Sequence, residues 1–334
     1  MRPLSALPAL VASVLTLAAL TTSAAAPPTA SAAAAPPSAS AVDSAAATPE
    51  VRYQHFIPLG KFPTAVFPPS LVSAYNASPS GYQVVNGHLV DDHQNAQVFR
   101  ASQRSWNHFT RMFPRRVWGG ITNYQIALRD SSFFFSLQRG NYNLEGSAQV
   151  GGASDLIRIH EVGHLLSISS NQVTPGVLPG FARPVGPSAA CPYGETYEGC
   201  VKAGTVMARF ATTFWSRDLT EEARPALTEA EIVAFYSRHT GEFVGSYAAS
   251  NISEDFADTF AAFVWRSDPR RADGSLGPGA AVRVQKIAWF YDQPGMAGLR
   301  DHIRLTLCAD PAPSWPGSAD AVPVAIRPQC GTGA

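Results

Sequence analysis

The sequence predicts an α+β fold, mainly helical with a small mixed sheet, over residues 51–334. Three observations predict it. After residue 91, apolar residues recur at helical spacing in several segments, many with a recognisable start or stop. In one stretch Tyr124, Ile126 and Leu128 alternate with Gln125 and Ala127, the period of a half-buried strand. The composition is that of a globular chain: 334 residues, 46% hydrophobic, with 25 basic and 25 acidic residues. Zero net charge leaves no footprint for nucleic acid or for an anionic membrane surface.

The first residues read as a secretory signal over 1–25. Arg2 supplies the charged start, Leu4 to Leu20 is apolar, and Ser23-Ala24-Ala25 offers small residues for cleavage. Residues 26–50 are almost all Ala, Pro, Ser and Thr, which cannot bury a core and predict a disordered linker. The expected protein is therefore secreted, with no membrane association after signal removal, and monomeric. Its four cysteines form an even set, which in a secreted chain predicts disulfides. Sequence proximity pairs Cys191 with Cys200 and Cys308 with Cys330.

From Arg52 to Tyr82 the chain is rich in proline and aromatics and predicts short strands and turns. Asp91 to Phe113 predicts a helix with Val98, Phe99, Trp106, Phe109 and Phe113 on its apolar face, stopped by Pro114. His93 and His108 in this region read as surface or capping residues. Val117 to Leu128 predicts a strand, and Phe133-Phe134-Phe135 a second strand or an aromatic wall. Gly140 to Gly152 reads as a polar loop leading into a helix capped by Ser154. Asn171 to Gly204, with several prolines, reads as a loop. Thr205 to Trp215 predicts a helix. Thr228-Glu229-Ala230-Glu231 is a capping box that starts another, ending near His239. Three more are expected: Glu254 to Trp265 with Ser253 as cap, Val282 to Tyr291, and Met296 to Leu307. Asn76 and Asn251 stand in N-x-S sequons.

The chemistry centres on His160-Glu161-Val162-Gly163-His164, the pattern H-E-x-x-H, inside the helix that follows Ser154. Positions i and i+4 share one helix face, so His160 and His164 can offer two imidazole nitrogens to one metal ion. Glu161 projects to the side, where a carboxylate can act as general base on a water. A catalytic zinc needs a third protein ligand and an open position. The best third ligand is Glu254, in Glu254-Asp255-Phe256-Ala257-Asp258, with Asp255 as its rival. Asp258 is four residues on from Glu254 and can accept the second N–H of a ligand histidine.

H-E-V-G-H followed by E-D-F-A-D resembles the gluzincins, the zinc metallopeptidases with a glutamate third ligand. Thermolysin-like enzymes and the catalytic domain of anthrax lethal factor carry related second helices. The resemblance implies a zincin-like metallopeptidase domain with a Zn2+ cofactor. It implies His160, His164 and Glu254 as ligands, Glu161 as base and Asp258 as support. Tyr247, seven residues before Glu254, matches a tyrosine that stabilises the transition state in the lethal-factor group. The implied activity is hydrolysis of a peptide or protein substrate. The strand within Val117–Leu128 is expected to pair with the extended substrate. The alternative is a secreted binding or adhesion protein that keeps a non-catalytic zinc site.

Overall fold

The larger sheet is built around its third strand. In the computed structural model, β1 (Tyr82–Val85) and β2 (His88–Leu89) form a hairpin. Its turn, Asn86–Gly87, has φ of 53° and 86°. That left-handed pair suits Asn-Gly and matches the twist of the flanking strands. β3 (Ile121–Ala127) takes β1 antiparallel on one side and β5 (Asn141–Ser147) parallel on the other. β4 (Phe134–Gln138) pairs antiparallel with β5, giving the order β2-β1-β3-β5-β4. A register shift between Ile121 and Asn123 lets Ile121 and Tyr124 both face the core.

The structure describes residues 70, 73–74, 81–90, 95–127, 134–138, 141–147, 153–175, 186–196, 198–223 and 228–309. All belong to the unit Val51–Ala334. The expectations for residues 1–50, for most of 52–80 including Asn76, and for His93, Leu128, Phe133 and Cys330 lie outside these; Ser70, Ser73 and Ala74, expected in short strands and turns, are helical. Two expectations for the sheet region are corrected. Residues 141–147, read as loop, are β5; strands on both sides satisfy its backbone, so it needs no strong strand sequence of its own. Val117 and Trp118 belong to a short helix after Pro114, not to the strand.

α1 (Ala96–Met112) is capped by Asn95, whose side chain accepts from Gln97 N and Val98 N. It ends before Pro114, as expected. Trp106 joins it to the sheet, with ring centroids 5.7 Å from Phe109 and 5.0 Å from Tyr124. Further helices among the described residues are α2 (Arg115–Trp118), α3 (Ala153–Ile168), α4 (Val206–Phe214), α5 (Arg217–Ala223), α6 (Glu229–Arg238), α7 (Ile252–Trp265), α8 (Val282–Tyr291) and α9 (Met296–Ala309). Thr228 and Glu231 form the expected capping box of α6. α7 starts earlier than expected: Asn251, not Ser253, caps it, accepting from Ser253 N and Glu254 N. Both are good caps; Asn251 wins because Ile252 then enters the core. The Asn251 side chain is therefore buried in its capping role, which leaves that sequon closed. α3 likewise starts at Ala153, so Ser154 sits in the first turn rather than capping it.

α3 and α7 pack against each other at the centre of the molecule. Their approach is set by Gly163, where an added Cβ would lie 2.6 Å from the Cα of Ala257. The far side of α7 is an aromatic core: Phe256, Phe260 and Phe263 meet Phe290 of α8 at 5.0, 5.7 and 5.3 Å between centroids. Within the expected loop 171–204, β6 (Val173–Pro175), β7 (Glu195–Thr196) and β8 (Gly199–Val201) form a small sheet ordered β6-β8-β7. Cys191 and Cys200 are disulfide-bonded, as expected. Cys308 is also in a disulfide.

Candidate metal centre

α3 carries His160 and His164 one turn apart toward α7, and their rings meet edge to face at 4.7 Å. α7 answers with two carboxylates from its own consecutive turns. Asp258 Oδ1 lies 2.8 Å from His160 Nδ1. Glu254 Oε2 lies 3.1 Å from His160 Nε2 and 3.1 Å from His164 Nε2. His160, Glu161 and His164 are all buried. A ring nitrogen of each histidine and a carboxylate oxygen of Glu161 fall within 4.8 Å of one another, a group that can hold a metal ion. The Glu254 oxygen is the better fourth member, because it is in direct reach of both imidazoles. No side chain among the described residues hydrogen-bonds Glu161.

The donor set fits a cation. An ionised Asp258 accepts the Nδ1–H of His160. The Nε2 of neutral His160 is then a lone pair facing a carboxylate lone pair at 3.1 Å. The same oxygen also faces His164 Nε2. Lone pairs converging in a buried space repel unless protons or a positive ion stand between them. Two imidazoles among three carboxylates (Glu161, Glu254, Asp258) leave an excess of negative charge, which a divalent ion offsets.

The electrostatics of the side chains alone express this. Burial draws the His160 imidazole down, yet its hydrogen bonds to Asp258 and Glu254 prevail and hold it well above the usual range. Burial lifts the Glu161 carboxyl to about 7, against the pull of His164 and His160. For Glu254 burial is outweighed by His164 and His160, which hold it below the usual carboxylate range. His164 is less well supported than His160, since its buried Nδ1 has no hydrogen-bond partner among the described residues.

Tyr247 stands just before the 3-10 turn Ala248–Ser250, its ring 5.8 Å from that of His160. Burial and the nearby Glu254 and Glu161 carboxylates keep its phenol far above its ordinary value, so it stays protonated. The structure thus brings His160, Glu161, His164, Tyr247, Glu254 and Asp258 together. Asp255, the rival ligand, is fully buried and bonded instead to Lys286 Nζ and Trp215 Nε1.

The structure adds groups that local spacing does not show. His108 is not a surface residue: its Nε2 bonds Asp155 Oδ1 at 2.8 Å in a buried network. Arg158 adds a 2.7 Å bond to the same oxygen, so Asp155 anchors the start of α3. Glu198, between β7 and β8, is near enough for its charge to interact with His164 and Glu254. A part-buried acid with distant partners leaves no local signal. No family model, curated protein or solved structure matches the chain.

Proposed function

We propose that the protein is a secreted zinc-dependent peptidase of the gluzincin type. One observation carries the reading: a single Glu254 oxygen reaches both histidine Nε2 atoms at 3.1 Å, with Glu161 beside them. His160, His164 and Glu254 would hold the ion; two imidazoles and a carboxylate suit zinc. Zinc, when bound, supplies a Lewis acid that polarises a carbonyl and acidifies water.

The chain's own groups do the rest. Asp258 holds the His160 ring by its Nδ1 proton and so keeps Nε2 available. Glu161, which no described side chain hydrogen-bonds, takes the proton of the attacking water and returns it to the departing amine. Burial raises its carboxyl, which makes the carboxylate the stronger base. The Tyr247 phenol, kept protonated, donates to the oxygen that gains negative charge. The substrate strand expected at residues 117–128 is corrected: β3 is an interior strand, paired with β5 along its length and with β1 at Asn123 and Tyr124. β4 is an edge of the sheet among the described residues, and it is the strand we assign to an extended peptide.

No described helix is long and apolar enough to cross a membrane. Secretion is supported by the signal-like start and the Cys191–Cys200 disulfide. The test is metal analysis of the purified protein, with peptide-library cleavage before and after chelation. One zinc per chain and chelator-sensitive cleavage are expected. Metal-free protein, or cleavage indifferent to the chelator, overturns the proposal.

A further inference from the structure

The first turns of α7 carry an ambiguity. Glu254 and Asp255 are adjacent, and both are within one helical turn of Asp258, at i+4 and i+3. A rotation of α7 by roughly one residue, about 100°, would swap which carboxylate joins Asp258 in facing the histidines. Helix spacing alone allows either pair.

The surroundings of Asp255 decide between them. Lys286 Nζ of α8 lies 2.6 Å from Asp255 Oδ2, and both side chains are 0% exposed. Trp215 Nε1, at the end of α4, donates to the same oxygen at 2.8 Å. Thr259 donates to the other oxygen at 3.3 Å. The ammonium also sits 4.4 Å from the ring centroid of Phe243. A buried lysine without an anion is costly, as is a buried carboxylate without a cation. The two therefore hold each other on the side of α7 away from the histidines. Buried ionic pairs contribute little net stability against apolar residues of the same shape, and their best-attested use is to specify register.

We propose that Lys286 is a positioning residue for the metal centre: by keeping Asp255 in the core, it commits Glu254 rather than its neighbour to the histidines. This rests on the metal-centre reading above. It makes the pair a selector of ligand geometry rather than a source of stability.

The test compares zinc affinity, measured by competition with a chromogenic chelator, and the visible spectrum of the cobalt-loaded protein. Both are read alongside melting temperature for the full chain. In Lys286→Met the freed Asp255 carboxylate competes with Glu254. Zinc affinity should fall about 10–100-fold, the range for lost ligand support, and the cobalt spectrum should change. Adding Asp255→Asn removes the competitor and keeps an oxygen for Trp215; affinity and spectrum should return toward wild type. Trp215→Phe, which loses one bond to Asp255 and keeps the bulk, should weaken zinc in the same direction by less. It stands in if Lys286→Met does not fold. Wild-type affinity and spectrum in folded Lys286→Met, or in Trp215→Phe where it stands in, would overturn the inference. A double variant as weak as the single one would do the same. If the wild type takes up no metal, the metal-centre reading fails and this falls with it. If the wild type binds and the variants match it, only this inference fails.

Discussion

Two histidines in this molecule sit between two carboxylates, and they do different things. His160 bonds Asp258 through Nδ1 at 2.8 Å and meets Glu254 through Nε2 at 3.1 Å. His239 bonds Glu242 through Nδ1 at 2.9 Å and Glu222 through Nε2 at 2.8 Å. At His239 each carboxylate oxygen meets one imidazole nitrogen, so one protonated ring satisfies both. At His160 the Glu254 oxygen is shared with a second imidazole, and Glu161 adds another carboxylate. One extra proton cannot satisfy that set. The His160 site is also buried, whereas Glu222 is 39% exposed and water can screen its charge. Likeness of pairwise bonds therefore says little. Burial and charge balance separate a surface ion cluster from a site shaped for a cation.

The largest expected effect breaks this comparison most directly. His160→Ala should lose the metal, and His239→Ala should keep the full complement. Equal zinc content in the two purified variants would show that the distinction is wrong. Next is chemistry without metal loss. Glu161→Gln keeps the size of the side chain but cannot accept a proton. It should retain zinc and melting temperature while cleavage falls about 10²–10⁴-fold, the usual contribution of a general acid–base group. Loss of zinc instead would place Glu161 among the ligands, which its position within 4.8 Å of the histidine nitrogens makes a meaningful control.

A smaller effect tests how the buried site is assembled. In Gly163→Ala the new methyl would meet Ala257 Cα at 2.6 Å, its Cβ at 3.1 Å and its O at 3.2 Å. Backbone cannot yield as a flexible side chain does, so α3 and α7 must part. A destabilisation of about 1–3 kcal/mol is expected for such overpacking, with weaker zinc binding. Unchanged melting temperature and zinc affinity would show that this contact does not set the helix distance.

Gly163 also marks where sequence reading stops. The histidine pair, the Glu254–Asp258 pair and the Thr228 capping box were legible because each is written within one or two helical turns. β5 was not, because Asn141-Tyr142-Asn143-Leu144 is a poor strand by itself and is held by neighbours on both sides. The choice of Asn251 over Ser253 as cap, and the side on which Asp255 lies, depend on core contacts with residues far along the chain. His108 looks like a surface residue in sequence for the same reason: its partner, Asp155, lies on a different helix. What local spacing conveys is the list of candidate groups. Which of them meet depends on the packing of α3, α7 and α8.

The smallest expected effect sharpens the comparison from the exposed side. Burial is the largest single influence on His239 and draws it down, but its hydrogen bonds to Glu242 and Glu222 together prevail and raise it above the ordinary imidazole value. A group whose folded value is raised binds its proton more tightly in the folded state. Its contribution is complete below the unfolded value, about 6.5, and fades as pH rises through the higher folded value. The His239 side chain is only 19% exposed, but Glu222 is 39% exposed, so solvent screens the pair. The contribution is then at most about 0.5 kcal/mol, in the range of surface ion pairs. Denaturant melts of wild type and His239→Gln, run from pH 5.5 to 9, should differ most at the acidic end and converge toward the alkaline end. The difference should shrink in high salt, because exposed charges are screened. A difference that grows with pH would reverse the sign and show that His239 is held neutral in the folded protein. Insensitivity to salt would show instead that its carboxylates are as sheltered as those around His160, and the contrast between the two histidines would fail on burial.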